Sequence, residues 1–241
     1  MKLTKLSIVI PVYNEAATVR LILDKIHATK LIHNIEKEFI IVDDGSQDDS
    51  KKIVLKFIEE NPSLDIKYHE HSQNKGKGAS IQTGISLATG EYLIIQDADL
   101  EYNPEEYNLL LKPVIDGVAD VVYGSRFTDK ESKRTSYFWH HVANKFLTFL
   151  SNLFSNLKLT DMETCYKLFN TKIIQSIKLT EKRFGFEPEI TAKISRIKNL
   201  RLREVGISYN SRPYDEGKKI GWKDGVRAIY CILKYGLFKM N

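Results

Sequence analysis

The chain has 241 residues, 42% of them hydrophobic and 28% charged, with a net charge of +5. This is an ordinary globular composition, large enough for one sizeable core, and no repeat, low-complexity segment or Gly/Ser/Pro-rich linker divides it. Two cysteines, Cys165 and Cys231, are too few for a disulfide framework or a metal cluster, and they indicate a reducing compartment.

Leu6-Ser7-Ile8-Val9-Ile10 is too short for a signal-peptide core and is followed by proline and acids, so a first strand is expected over 5–12. A helix over 15–27 would bury Val19, Leu21, Ile22, Leu23 and Ile26. The link between them is Pro11-Val12-Tyr13-Asn14-Glu15. A second strand over 38–42 ends in Asp43-Asp44-Gly45-Ser46, where Gly45 permits a sharp turn and Asp48 or Asp49 can cap a helix over 50–60. After a short strand over 66–69, Asn74-Lys75-Gly76-Lys77-Gly78-Ala79-Ser80 opens a helix over 79–88. Tyr92-Leu93-Ile94-Ile95 reads as a fourth, buried strand, and Pro104 starts a helix over 105–115. A fifth strand over 119–123 ends in Gly124-Ser125-Arg126. Strands alternating with helices predict an α/β fold, a parallel sheet covered on both faces.

Polar clusters follow every one of these strands: Tyr13/Glu15, Asp43/Asp44, Lys75/Lys77, Asp97/Asp99 and Ser125/Arg126. In a parallel sheet those ends share one edge, so the five clusters are expected to converge on one cleft. Gln96-Asp97-Ala98-Asp99-Leu100-Glu101 is its centre. Side chains one residue apart point to opposite sides of a regular strand, so the chain must bend for Asp97 and Asp99 to serve one ion. Ala98 leaves room for that bend and for a ligand against the backbone. Oxygen-only ligands imply a hard ion, Mg²⁺ or Mn²⁺, shared with a substrate phosphate. Asp-x-Asp alone fits a solvated loop equally well.

The second half changes character. Residues 134–157 are rich in aromatics, 164–169 have strand character, and Gly185-Phe186-Glu187-Pro188-Glu189 opens another helix. Lys193, Arg196, Lys198, Arg201 and Arg203 crowd a short basic run without interleaved aromatics, which argues against nucleic acid and leaves a solvated face or an anionic membrane surface. The tail over 222–238 places Val226, Ile229, Tyr230, Leu233 and Leu237 on one helical face. That pattern suits an interfacial helix or a helix packed on the sheet.

Pro11-Val12-Tyr13-Asn14-Glu15, Asp43-Asp44-Gly45-Ser46, Gly76-Lys77-Gly78-Ala79 and Asp97-Ala98-Asp99, in that order and spacing, resemble a family 2 glycosyltransferase of the GT-A fold. Within that family the chain is most similar to the dolichyl-phosphate mannose synthase and polyprenyl-phosphate sugar transferase branch. Gly124-Ser125-Arg126, Thr160-Asp161 before Cys165-Tyr166-Lys167-Leu168-Phe169, Gly185-Phe186-Glu187, and Arg212 followed by Gly217-Lys218-Lys219 agree with it. The resemblance implies one domain over 1–241, with a nucleotide-sugar half (1–127) and an acceptor- and membrane-facing half (128–241). It implies that Pro11, Tyr13, Glu15, Asp43 and Asp44 line the base and ribose pocket of a GDP- or UDP-sugar, with Lys77 and Ala98 nearby. Asp97 and Asp99 would hold the metal on the donor diphosphate, with Glu101 as a third oxygen ligand. Ser125, Arg126, Arg134, Arg212 and Lys219 would meet phosphates of donor or acceptor, and Asp99, Arg126, Arg134 and Arg212 would carry the catalysis.

The Gln-x-x-Arg-Trp signature of processive synthases is absent, since neither Trp139 nor Trp222 follows an arginine. One sugar per turnover is therefore expected, moved with inversion to a polyprenyl phosphate. No apolar run is long enough to span a membrane. Membrane contact would then come from 136–156 and 222–238, or from a membrane-protein partner or a second copy, on the cytoplasmic face. A saccharide or protein hydroxyl acceptor, and a non-catalytic nucleotide-sugar-binding protein at a membrane surface, remain the alternatives. Asp161 and Glu187 are the candidate bases should the acceptor be a hydroxyl. A dinucleotide-binding fingerprint fails, because Ile81 stands where Gly76-Lys77-Gly78 would need a third glycine.

Overall fold

The structure, a computed structural model, describes residues 3–128, 138–211 and 222–238. Its strands are β1 (Lys5–Val12), β2 (Glu36–Asp43), β3 (Asp65–Glu70), β4 (Tyr92–Ile95), β5 (Val121–Ser125), β6 (Lys167–Asn170) and β7 (Leu202–Gly206). They form one sheet in the order β3-β2-β1-β4-β6-β5-β7. Its helices are α1 (Val19–Ala28), α2 (Ser50–Glu60), α3 (Lys77–Leu87), α4 (Tyr107–Ile115), α5 (Phe138–Ser155), α6 (Thr171–Gln175), α7 (Phe186–Ile194) and α8 (Trp222–Leu237). The central strands are continuous apolar runs because helices cover the sheet: Ile8, Val9, Ile10, Phe39, Ile40, Ile41, Leu93 and Ile94 are all fully buried. α3 packs on β1 and β2, α4 packs on β5 and β7, and α5, α7 and α8 pack on one another.

The sheet is mostly parallel, as expected, with one exception: β6 lies antiparallel between β4 and β5, and β7 and α6 are elements that the sequence pattern did not announce. The antiparallel entry matters for the site. To enter the sheet in that direction, residues 160–166 must cross the edge where β4 and β5 end. Cys165 Sγ accordingly lies 3.8 Å from the Ile95 carbonyl, and Gly124 donates its N–H to the Tyr166 carbonyl at 2.8 Å. Leu21, expected inside, is 52% exposed, while Val19, Ile22, Leu23 and Ile26 form the buried stripe of α1.

The basic run is a solvated face that is also fastened locally: Arg196, Lys198, Arg201 and Arg203 are exposed. Lys193 pairs with Glu189 at 2.9 Å, Arg201 pairs with Asp120 at 2.7 Å, and the Arg196 guanidinium donates to the carbonyls of Tyr235, Gly236 and Phe238 at the end of α8. A cation there satisfies carbonyls that the last helical turn leaves without partners. The tail helix resolves differently from either simple expectation. α8 buries Ala228, Cys231, Ile232 and Tyr235 against α5 and α7, not against the sheet. It leaves Val226, Tyr230, Leu233 and Leu237 exposed, while α5 leaves Val142, Phe146, Phe149 and Leu153 exposed. Both rows repeat at helical spacing, so two neighbouring helices each present an apolar stripe to the outside. Among the described residues no helix is long and apolar enough to cross a membrane.

Candidate active site

The first wall of the cleft is built from the links after β1 and β2. Asn14 takes a left-handed φ of 52° and its side-chain oxygen accepts the Gln47 N–H at 2.8 Å, while its own N–H donates to Ser46 Oγ at 3.1 Å. The Glu15 N–H donates to Ser50 Oγ at 2.8 Å, and the Glu15 carboxylate accepts from Thr18 Oγ1. Asp43 accepts the Ser46 N–H at 2.9 Å. Pro11 is the strand residue facing Val42, and Tyr13 is half-buried at the rim.

Asp44 also has a structural part. It is buried, and its two oxygens accept the N–H groups of Lys75 (2.9 Å) and Gly76 (2.7 Å) and meet His71 Nδ1 at 2.6 Å. His71 Nε2 lies 3.0 Å from Thr83 Oγ1. Asp44 thus pins the glycine turn to the sheet, with His71 joining that turn to α3. Gly76 is required there: its φ is +98°, and a Cβ would lie 2.4 Å from the Lys182 carbonyl. The turn aims Lys77 at the centre of the cleft. Its Nζ is 2.8 Å from both Asp97 oxygens and 3.9 Å from Glu187 Oε1. Burial disfavours the ammonium charge, but Asp97, helped by Glu187, outweighs it and holds the lysine pKa well above the ordinary value.

The bend expected at Asp97-Ala98-Asp99 is present and has two visible causes. Buried Gln96 donates to the Asp97 carbonyl at 3.0 Å and accepts from the hydroxyls of Tyr107 and Tyr166, both at 2.7 Å. Leu100 then turns the chain with a φ of 65°, where a non-glycine residue is uncommon, and Asp99 accepts the Glu101 N–H at 3.1 Å. Ala98 is buried beneath the turn. The Glu101 carboxylate accepts from the Tyr209 hydroxyl at 2.7 Å, and its carbonyl accepts the Asn210 N–H. Among the described residues no three carboxylate, histidine or cysteine side chains form a metal-ligand group, so the structure does not bring Glu101 together with Asp97 and Asp99 as a triad. Two carboxylates at a strand end still suit Mg²⁺ or Mn²⁺, which fill their remaining positions with phosphate oxygens and water.

The far wall is a buried ion pair. Arg126 grips Asp161 in bidentate fashion (Nε–Oδ2 2.6 Å, Nη2–Oδ1 2.7 Å) and its guanidinium lies 5.1 Å from the Tyr209 ring centre. Glu204 of β7 accepts the N–H groups of Thr160 and Asp161, which fixes the carboxylate side of the pair. The Ser125 hydroxyl, expected to meet phosphate, is buried 2.6 Å from Thr160 Oγ1 instead. Between this wall and Lys77 stand Glu163, Lys167 and Glu187. Lys167 is fully buried, donates to the Thr164 carbonyl and lies 4.9 Å from the Tyr123 ring centre; burial lowers its pKa. Arg134, Arg212 and Lys219 lie outside the described residues.

Sequence reasoning missed Gln96, His71 and Glu163. For Gln96 the signal was an amide at the end of an apolar strand; for the others, nothing local marks them.

Residues 7–178 match the family model described as Glycosyl transferase family 2. The dodecaprenyl-phosphate galacturonate synthase of Rhizobium johnstonii is 24% identical over 97% of this chain and 67% of its own length. The dolichyl-phosphate beta-glucosyltransferase of Dictyostelium discoideum is 29% identical over 98% of this chain and 77% of its own. The crystal structure of glucosyl-3-phosphoglycerate synthase from Mycobacterium tuberculosis, in complex with Mn²⁺, uridine diphosphate and phosphoglyceric acid, superimposes with a TM-score of 0.72 at 17% identity. It covers 97% of this chain and 78% of that one, which establishes a shared GT-A fold. With the family model spanning well over half its length, this chain belongs to glycosyl transferase family 2 and is a glycosyltransferase.

Proposed function

We propose that this enzyme moves one sugar from a nucleotide diphosphate donor to a polyprenyl phosphate, with inversion at the anomeric carbon. The observation that carries this reading is the occupation of Asp161. A hydroxyl acceptor is un-ionised at neutral pH and needs a positioned base. Asp161 is held bidentately by Arg126, and a carboxylate so held is not arranged to take a proton from an incoming hydroxyl. A phosphate monoester, with a second pKa of about 6, is already anionic at pH 7. Its oxygen attacks the anomeric carbon as the bond to the donor diphosphate breaks, and no proton need be removed. Arg126, with Arg134 and Arg212 as further candidates, would guide one anion past another, and Lys77 would face the departing diphosphate.

Asp97 and Asp99 would hold a divalent ion, which when bound neutralises charge developing on the leaving diphosphate. Asp97 also positions Lys77 in this structure, so that one carboxylate serves both cations. The exposed stripes of α5 and α8 support a lipid acceptor: Phe149, Leu153, Leu237 and Phe238 are each 60–66% exposed, more apolar surface than a solvent-facing helix pair needs. The relatives named for dodecaprenyl and dolichyl phosphates support the same class.

The test offers labelled UDP- and GDP-sugars to purified protein with polyprenyl phosphate and Mg²⁺ or Mn²⁺, and follows label into the lipid phase. Label should enter the lipid, should stop in excess chelator, and should fall on the order of a hundredfold or more in Asp99→Asn. Full transfer in chelator would remove the metal from the account, and label appearing only in water-soluble saccharide would remove the lipid.

A further inference from the structure

Residues 160–166 carry one side chain that the account above does not use. Glu163 Oε1 is buried and has no hydrogen-bond partner among the described residues. Buried carboxyl oxygens in folded proteins almost always have partners, and an unpaired one costs about 1–3 kcal/mol. The groups that bear on it are Glu187, Lys167, Arg126 and Asp161. Those groups belong to both walls of the cleft: Glu187 lies beside the Lys77–Asp97 pair on the diphosphate side, and Arg126 and Asp161 form the other wall. A donor whose diphosphate meets Asp97 and Asp99 has only its sugar to place between those walls.

We propose that Glu163 is the residue that recognises the transferred sugar, its unpaired oxygen taking a sugar hydroxyl, and that the engagement of the neighbouring Lys77, Arg126 and Lys167 with the protein's own acceptors restricts that sugar to a neutral hexose without a carboxylate of its own. The proposal rests on the transferase reading above. Burial, with Glu187 adding to it, raises the Glu163 pKa far above the usual carboxylate range. A neutral carboxyl offers one O–H donor and an acceptor oxygen, a match for a sugar hydroxyl. A hexuronosyl donor would instead bring a further negative charge among Asp97, Asp161 and Glu187. Lys77 and Arg126 each already hold a carboxylate there, and Lys167 is turned to the Thr164 carbonyl. The galacturonate-named relative would differ from this chain in that respect.

The experiment compares UDP, UDP-glucose, UDP-galactose and UDP-galacturonate, with GDP and GDP-mannose as the second series, on wild type, Glu163→Gln and Glu163→Ala. Calorimetry gives binding, and lipid-phase label gives kcat/KM. Wild type should use its neutral hexose at least about tenfold better than the uronate. Glu163→Ala should lose about tenfold or more in kcat/KM for that hexose, with affinity for the bare nucleoside diphosphate and the melting temperature unchanged. Glu163→Gln, which keeps a donor and an acceptor, should retain most of it. Wild-type preference for the uronate, an alanine variant equal to wild type, or equal losses for bare nucleotide and nucleotide sugar would each overturn the proposal. If wild type transfers from a donor but the alanine variant matches it, only the assignment of Glu163 fails. If wild type transfers from none, the transferase reading fails and takes this one with it.

Discussion

Glu38 and Glu163 are the same side chain at opposite ends of one sheet, Glu38 fully buried and Glu163 half-buried with its Oε1 out of solvent. Glu38, near the amino ends of the strands, is fully partnered: Ser7 Oγ, Thr89 N, Thr89 Oγ1 and Lys67 Nζ all lie within 2.9 Å of its oxygens. Burial would raise its pKa, but Lys67, Ser7 and Thr89 outweigh that and pull it down to about 2. Glu163, over the carboxyl ends, has an oxygen with no partner among the described residues, and burial raises its pKa. Satisfied buried charge ties β1, β2 and the turn before β4 together. At Glu163 an unpartnered buried oxygen marks where a ligand hydroxyl fits. One end of the sheet is built for stability and the other for a ligand.

Asp161 sharpens that contrast because it lies at the ligand end yet is partnered. Asp161→Asn leaves Arg126 buried without its carboxylate, and it should cost about 3–5 kcal/mol of stability along with transfer activity. Denaturant unfolding of the variant checks this; unchanged stability would break the rule that partnered carboxylates carry structure. Glu38 gives the next effect. Its depressed pKa means stability that is complete above its ordinary value of 4.5 and disappears as pH falls toward about 2. Lys67 is 35% exposed, which weakens its share, so Glu38→Gln should cost about 2 kcal/mol at pH 7. Wild type and variant should converge in stability between pH 5 and pH 2, while the activity of folded variant stays at the wild-type level. A gap independent of pH would contradict the account.

The smallest effect on stability is expected of the exposed apolar groups, which extend the contrast. The buried row of α8 holds the helix to α5 and α7, and the exposed rows are free to meet a membrane. Replacing Phe149 and Leu153 by serine should leave the melting temperature within a few degrees of wild type, yet weaken binding to anionic vesicles by about 1–3 kcal/mol per side chain. Equal vesicle binding by wild type and the double variant would take the stripe out of the acceptor account.

Much of this was legible in the sequence because it is local. Apolar runs ending in Asp43-Asp44, Asp97-Ala98-Asp99 and Ser125-Arg126 place polar groups at strand ends, and strand alternation fixes the shared edge. What pattern cannot supply is the partner. Nothing local shows that Asp44 also accepts from Lys75 and Gly76 and meets His71, or that the Ser125 hydroxyl lies against Thr160, 35 residues away. The basic run is surface charge, as its pattern indicates, but nothing local shows that Arg196 also reaches the end of α8 about 40 residues on. The antiparallel β6 was hidden for a related reason. Four residues of strand carry no mark of direction, and direction decides which edge the preceding loop crosses.

The central claim is transfer to an acceptor that arrives already ionised, without a protein base. Its most direct measurement presents polyprenyl phosphate and the matching polyprenol, of equal chain length, to the same enzyme, donor and Mg²⁺ at pH 7. The account predicts glycosylation of the phosphate and none above background of the alcohol. Comparable transfer to polyprenol would contradict it, and loss of that transfer in Glu187→Gln with transfer to the phosphate retained would show that a carboxylate acts as a base.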